Sequence, residues 1–181
     1  MDDYTQMAFV THDMAASIAR WHAIGAGPFY LVDLSAIDQG LIPDRMYRGA
    51  PAADTFKAAI GFLGTTQIEF VEPTNDAPSV FREVLDQKGE AFHHMQAKVS
   101  VVPPALFDEL ARSYEAQGME LAALMTTPSG ARSAFYDGRA TVGCFMEIAE
   151  KGEHTFECVK IMHRAHLRQK DLPMIMDWPT P

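Results

Sequence analysis

Basic residues are scarce in this chain: 15 Lys and Arg stand against 24 Asp and Glu, a formal net charge of −9 over 181 residues. A surface of that sign does not neutralise phosphates, so neither nucleic acid nor an anionic membrane is an expected partner. Cysteine is almost absent. Cys144 and Cys158 are the only two, and they form neither a metal-like pair nor a disulfide framework, which points to a reduced, cytoplasmic protein. Long apolar runs are missing too: none approaches the roughly 18 residues of a spanning helix, and no charged-then-apolar leader opens the chain. What is present is hydrophobic residue, 48% of the total, with eleven Met and eleven Phe. That suffices for the core of one domain, or of two small modules sharing a core. The Met and Phe fit an adaptable apolar pocket as well as plain core filling.

The local signals repeat. In the first half, a strand from about Tyr4 to Thr11 leads to Asp13, a good helix N-cap. Ala15, Ala16, Ile18, Ala19, Trp21 and Ile24 then form the apolar face of a helix, which Gly25-Ala26-Gly27-Pro28 stops. Phe29 to Val32 is a short β run. Phe56 to Leu63 and Gln67 to Val71, joined through Gly64-Thr65-Thr66, read as a hairpin. The second half has a strand from His94 to Val102 and a helix marked by Leu106, Leu110 and Tyr114 and ended by Gly118. Strands follow at Leu121 to Met125, Ala131 to Tyr136 and Cys144 to Ala149. Each half is therefore β-α-β-β-β, a repeat of pattern rather than of sequence. The chain divides into a first module at 1–88, a second at 89–150, and a C-terminal helix and tail at 151–181, with the helix near Glu157 to Gln169. Pro73 to Pro78 is a linker before a short helix from Ser79 to Asp86. Ser35 to Ala53 is polar and without period, and a loop of that length reads as a lid or pocket rim.

Four potential metal ligands fall at equivalent places in the two halves. Gln6 opens an apolar strand, as His94 does in the second half; Glu69 sits within Ile68-Glu69-Phe70-Val71, and Glu147 within Met146-Glu147-Ile148-Ala149. Side chains alternate along a strand, which groups Gln6 with Ala8 and Val10, His94 with Gln96, Glu69 with Gln67 and Val71, and Glu147 with Phe145 and Ala149. Burying Glu69 and Glu147 on half-apolar strands costs several kcal/mol unless each is paired or binds a cation. Lys98 and Arg82 are the alternative partners. Two carboxylates, one neutral imidazole and one amide oxygen would hold a divalent ion at zero net charge. Amides are weak ligands, so Gln6 also reads as a plain polar strand residue. Of the adjacent histidines, His94 has the register of Gln6, and His93 is expected to face the helix side or the rim.

These residues carry a resemblance to the vicinal oxygen chelate superfamily, the group of glyoxalase I, methylmalonyl-CoA epimerase, bleomycin-resistance proteins and extradiol dioxygenases. It covers about Tyr4 to Glu150. The matching segments are Gln6-Met-Ala-Phe-Val with Asp13-Met-Ala-Ala, Gly27-Pro28-Phe29, Gly64 to Pro73 around Glu69, Gly89 to Met95 around His93 and His94, Phe135-Tyr-Asp, and Gly143 to Ile148 around Glu147. The Glu69 and His-His segments most resemble the epimerase branch. There a histidine usually takes the place of Gln6; the set Gln6, Glu69, His94 and Glu147 instead resembles that of zinc-type glyoxalase I, whose glutathione-binding features are not recognisable here.

The resemblance implies an α+β fold of two βαβββ modules forming a curved, cup-shaped mixed sheet with a C-terminal helical extension, paired as a homodimer. It implies a divalent metal (Zn, Co, Ni, Mn or Fe) on those four residues, with Glu69 and Glu147 also serving as acid and base. The reaction class implied is proton transfer α to a carbonyl, by an epimerase, isomerase or glyoxalase-like lyase, on a small, fairly apolar carbonyl metabolite. A non-catalytic binder of the same fold is the alternative. An extradiol dioxygenase typically needs two His and one carboxylate, and the expected places offer one His. Elsewhere, His163 and His166 read as a solvated helix face, Glu72 as surface, and Cys144 and Trp21 as core. Arg45, Tyr47 and Arg48 are either ligand contacts or solvated side chains.

Overall fold

The computed structural model of the protein describes residues 4–33 and 44–181. Its framework is one 11-stranded, unclosed mixed sheet in the order β11-β2-β5-β6-β1-β7-β10-β9-β8-β3-β4. The first module contributes β1 (Tyr4–Val10), α1 (Met14–Ala23), β2 (Phe29–Asp33), β5 (Phe56–Leu63) and β6 (Thr66–Pro73). The second contributes β7 (Ala91–Val99), α3 (Pro104–Ala116), β8 (Glu120–Thr126), β9 (Arg132–Asp137) and β10 (Phe145–Ala149). Strands β1 and β7 meet antiparallel at the centre, each with its own module's last strand parallel on its far side. In that register Gln6 faces Gln96 and Ala8 faces His94, so a two-fold between the modules exchanges Gln6 with His94 and Ala8 with Gln96.

Period-two alternation sorts the side chains onto two faces. On the convex face, Ile68 and Phe70, with Met7 and Phe9, pack against Met14 and Ile18 of α1. Ala134, Tyr136 and Ile148 do the same with Phe107 and Tyr114 of α3. Local chemistry starts these helices: the Asp13 side chain accepts from Ala16 N, and Pro104 fills the first turn of α3, where no N–H is needed. Glu72, expected at the surface, accepts from Met14 N at 2.8 Å and adds a second acceptor to the start of α1.

The concave face is closed at both ends. Helix α2 (Val80–Lys88) packs Phe81, Val84 and Leu85 against Val10, Val71, Phe135 and Phe145. Helix α4 (Glu153–His166) packs Val159, Met162 and Ala165 against Tyr4, Tyr30, Phe62 and Val99. The cup is thus a trough between two helical ends.

Four expectations change. Of the polar stretch read as a loop over Ser35 to Ala53, positions 35–43 lie outside the described residues, while β3 (Asp44–Tyr47) and β4 (Ala50–Pro51) form a ribbon on the edge of β8. First-module chain therefore extends the second module's sheet. Arg48 fastens it by pairing with Glu83 at 3.0 Å and Asp137 at 2.9 Å, Tyr47 donates to Glu83, and Arg45 is buried beside Asp54. All three are structural partners rather than ligand contacts or solvated side chains. The tail also adds β11 (Ile175–Met176) beside β2. Finally, His166 is buried rather than solvated: its Nδ1 donates to Gly27 O at 2.7 Å and its Nε2 accepts from Gly64 N at 3.0 Å. His163 Nδ1 lies 3.2 Å from Tyr4 Oη, its ring against Tyr4 and Phe62. Among the described residues no helix is long and apolar enough to cross a membrane.

His166 staples α4 to two first-module turns, so His166→Ala strands two backbone groups. One of them, Gly64 N, lies at an exposed turn that water reaches. The expected loss is about 2–3 kcal/mol of unfolding free energy, read as a lower denaturation midpoint in urea with an unchanged slope.

Candidate metal centre

In the trough between α2 and α4, three concave-face side chains converge. Donor atoms of Glu69, His94 and Glu147 lie within 4.8 Å of one another, close enough to share one cation. His94 Nε2 is 3.3 Å from Glu69 Oε2 and 3.3 Å from Glu147 Oε2. Two modules are needed to build this cluster, since Glu69 comes from β6, and His94 and Glu147 come from β7 and β10.

The orientation of His94 follows from a β-bulge. Ala8 pairs with His94 and the next residue, Phe9, pairs with Phe92, leaving His93 as the extra residue of β7. Strict alternation would send His93 to the helix-covered convex face, one of the two placements (helix side or rim) expected from the sequence. The bulge turns it into the trough instead, where it stacks on Phe145 and meets Phe81 of α2. There His93 Nε2 lies 3.0 Å from Val80 O, and His93 Nδ1 lies 2.8 Å from His94 Nδ1. A carbonyl can only accept, so His93 Nε2 carries the proton. Burial, with the His94 charge adding to it, pushes His93 well below the ordinary histidine pKa and keeps it neutral. Its Nδ1 is then an acceptor, which puts the shared proton on His94 Nδ1. The His94 Nε2 lone pair is thereby aimed between the two carboxylates.

That atom is buried and makes no hydrogen bond within the described residues. A lone pair facing two carboxylates is repulsive unless a cation lies between them, and a proton or a divalent ion can serve. Burial alone would lower the His94 pKa; Glu147 and Glu69 outweigh it and lift it to about 9. Burial alone would raise the Glu147 carboxyl, but His94, Lys151 and Ser133 together hold it below the usual carboxylate range. Ser133 Oγ donates to Glu147 Oε1 at 2.7 Å, which fixes that carboxylate and leaves Oε2 for the cluster.

Gln6 shares the face. Its Nε2 donates to Gln67 Oε1 at 2.9 Å, and its Oε1 is buried without a hydrogen-bond partner in a cavity also lined by Glu69 and Glu147. The sequence reading named Lys98 and Arg82 as possible partners for the acids. Arg82 instead pairs with Asp76 and Asp86, and the cation beside the cluster is Lys151, whose Nζ donates to Gln96 Oε1 at 2.9 Å. Lys151 lies just past β10, on no periodic element that would have marked it. Ser133, one small polar residue on a strand, was equally invisible, and the inward placement of His93 rests on a bulge that no local pattern marks.

On the α2 side of the cluster lies a cavity of about 280 Å³ with apolar walls from Phe56, Ile60, Val71, Phe81, Met125 and Phe135. On the α4 side lies a smaller one of about 140 Å³ that includes Gln6, Gln67, Gln96 and Lys151. Trp178 of the tail lines both. Cys144 and Cys158 are buried and unpaired with each other, away from this chemistry.

Paired βαβββ modules curved around a central trough are the vicinal oxygen chelate fold, and the chain has it. Comparison with solved structures agrees. The chain matches methylmalonyl-CoA epimerase from Mycobacterium tuberculosis over 81% of its own length and 86% of that chain, with TM-score 0.51 and 19% identity. A variant of the Streptomyces coelicolor methylmalonyl-CoA epimerase in complex with 2-nitronate-propionyl-CoA matches over 83% and 95%, with TM-score 0.51 and 17% identity. A hypothetical protein from Bacillus halodurans matches over 82% and 93%, with TM-score 0.52 and 18% identity. At these identities the likeness is one of fold. No protein-family model and no curated protein matches the sequence.

Two measurements follow from the His94 geometry. Because its pKa is raised, the metal-free protein keeps a proton on His94 below about pH 9, and a metal must displace it. One proton should be released per ion bound, and apparent affinity should rise about tenfold per pH unit up to that point and then level off. Calorimetry in buffers of different ionisation enthalpy counts the protons. Replacing His93 by Phe keeps the packing but removes the acceptor that fixes His94, so zinc affinity should fall by about 10- to 100-fold.

Proposed function

We propose that the protein is a divalent-metal-dependent enzyme that moves a proton α to a carbonyl group, acting as an epimerase, isomerase or glyoxalase-like lyase on a small carbonyl compound. One observation carries this reading: the buried His94 Nε2, its orientation fixed by His93, stands 3.3 Å from a carboxylate oxygen of each module, so the three groups require a cation among them. That donor set fits a divalent ion. Glu69, His94 and Glu147 would hold it, with Gln6 Oε1 as the neutral fourth donor, and a mixed O/N set of this kind does not choose sharply among Zn, Co, Ni, Mn and Fe. When bound, the ion supplies Lewis-acid polarisation of a carbonyl oxygen and charge that favours its enolate.

The protein side chains do the rest. Glu69 and Glu147 approach from opposite modules, so they flank a substrate held between them, one to take the α-proton and the other to return it. Ser133 restrains one oxygen of Glu147, leaving the other to act. Apolar walls from Phe81 and Phe135, with Trp178 over the trough, keep water from the developing charge. The epimerase fold neighbours support the reaction class. An extradiol-type dioxygenase is disfavoured, because the cluster offers one imidazole and two carboxylates rather than the reverse. A metal-free binder of the same shape would carry a proton at His94 Nε2 in place of the ion, and the metal titration above separates the two.

The test is Glu147→Gln, which keeps the shape and an oxygen donor but removes the base. It should retain much of the bound metal while α-proton exchange in heavy water falls by about 100-fold or more. Undiminished exchange with metal still bound would move the chemistry elsewhere.

A further inference from the structure

Lys151 changes the charge of the centre. Two carboxylates and a divalent ion sum to zero with neutral His94 and Gln6, so Lys151, whose pKa burial lowers while Glu147 and Glu69 favour its charged form, is a donor the filled centre does not need for balance. An anion beside Lys151 would favour its charged form. The neighbouring groups point the same way. Lys151 carries three N–H donors, and Gln96 Oε1 takes one of them at 2.9 Å. Gln96 is 1% exposed, and its Nε2, with two more donors, is buried without a partner. Both residues line the cavity of about 140 Å³ between the acidic pair and α4. The stranded Gln96 amide and the remaining Lys151 donors, set among Val159, Met162 and Trp178 on this lining, call for acceptor oxygens. Across the acidic pair, the cavity of about 280 Å³ has mainly apolar walls, and Arg132 on its lining is already paired with Glu150 and Asp108.

We infer that the smaller cavity is a carboxylate subsite: the ligand is a small carbonyl compound bearing a carboxylate, which Lys151 Nζ and Gln96 Nε2 hold, with its apolar end in the larger cavity. The carbon between them then lies against Glu69 and Glu147. This rests on the function proposed above for what happens at that carbon, but the hold on the carboxylate does not itself require a metal. A lysine present only to offset Glu69 and Glu147 would have no use for the stranded Gln96 amide.

Titration calorimetry with 2-oxohexanoate and with its methyl ester reads the subsite, because the two probes differ in the charge at one end. Zinc-loaded wild type should bind the acid about tenfold or more tighter than the ester, the scale of a hydrogen bond to a charged group. In Lys151→Gln that preference should shrink to about twofold or less, with zinc content per chain unchanged. A preference arising from the metal alone would survive this change. Gln96→Glu is the second variant: it keeps a partner for Lys151 and puts a fixed carboxylate beside the subsite, so it should favour the ester. Equal affinity of wild type for both probes, or for neither, overturns the subsite, as does an acid preference that survives in both variants. The same titrations on chelator-treated protein separate the two readings. An acid preference there that Lys151→Gln abolishes upholds the subsite even where zinc binding has failed. Zinc binding without any acid preference overturns the subsite and leaves the metal reading standing.

Discussion

Three electron-rich groups brought together in a closed trough are the constraint on which this structure turns. His94 Nε2 stands 3.3 Å from a carboxylate oxygen on either side, and nothing about that arrangement is stable without positive charge between them. The fold nevertheless commits structure to keeping it. A bulge in β7 brings His93 inward, α2 presents Val80 O to receive its proton, and Ser133 restrains Glu147. Aligned in this way, the imidazole lone pair is an acceptor prepared for a cation, the pattern by which a neighbouring hydrogen bond sets a metal-ligating histidine.

Duplication explains how the site is built, and departure from duplication explains what it is for. The two-fold that exchanges Glu69 with Glu147 gives the acid pair, one from each module. It also exchanges His94 with Gln6, and Gln96 with Ala8, so the two sides of the acid pair differ. One side is bounded by α2 and walled mainly by apolar side chains, with the Arg132–Glu150 pair on its lining; the other is bounded by α4 and sets three amides and Lys151 among Val159, Met162 and Trp178. A symmetric scaffold thus holds an asymmetric trough with an oily end and a polar end, which is what orients a ligand about a fixed reaction centre. The C-terminal tail contributes to both ends through Trp178, so the segment beyond the repeat is part of the site.

Much of this was legible in the sequence because period-two alternation is short-range. Gln6, Glu69, His94 and Glu147 each sit in an apolar strand context that fixes their face, and matched positions in two halves imply convergence. The β-α-β-β-β order was readable for the same reason, from caps such as Asp13 and breaks such as Gly25 to Pro28. What stayed hidden depends on contacts between distant segments. One inserted residue moves His93 to the other face, and no local signal marks a bulge. Lys151 lies beyond the last patterned strand and joins the centre only through the cup's curvature. The β3–β4 ribbon was lost because four residues of strand between Pro43 and Gly49 look like loop until β8 supplies a partner, and His166 looks solvated until Gly27 and Gly64 come beneath it.

The most direct test of the central claim is the coordination shell itself. X-ray absorption of the zinc- or nickel-loaded protein counts imidazole ligands through their characteristic outer-sphere scattering. A single imidazole with oxygen donors filling the remaining positions is the result expected, and it should vanish in His94→Ala. Two imidazoles, or none, or an unchanged spectrum in that variant, would contradict the account, because His93 would then be a ligand or the ion would lie outside the His94 trough.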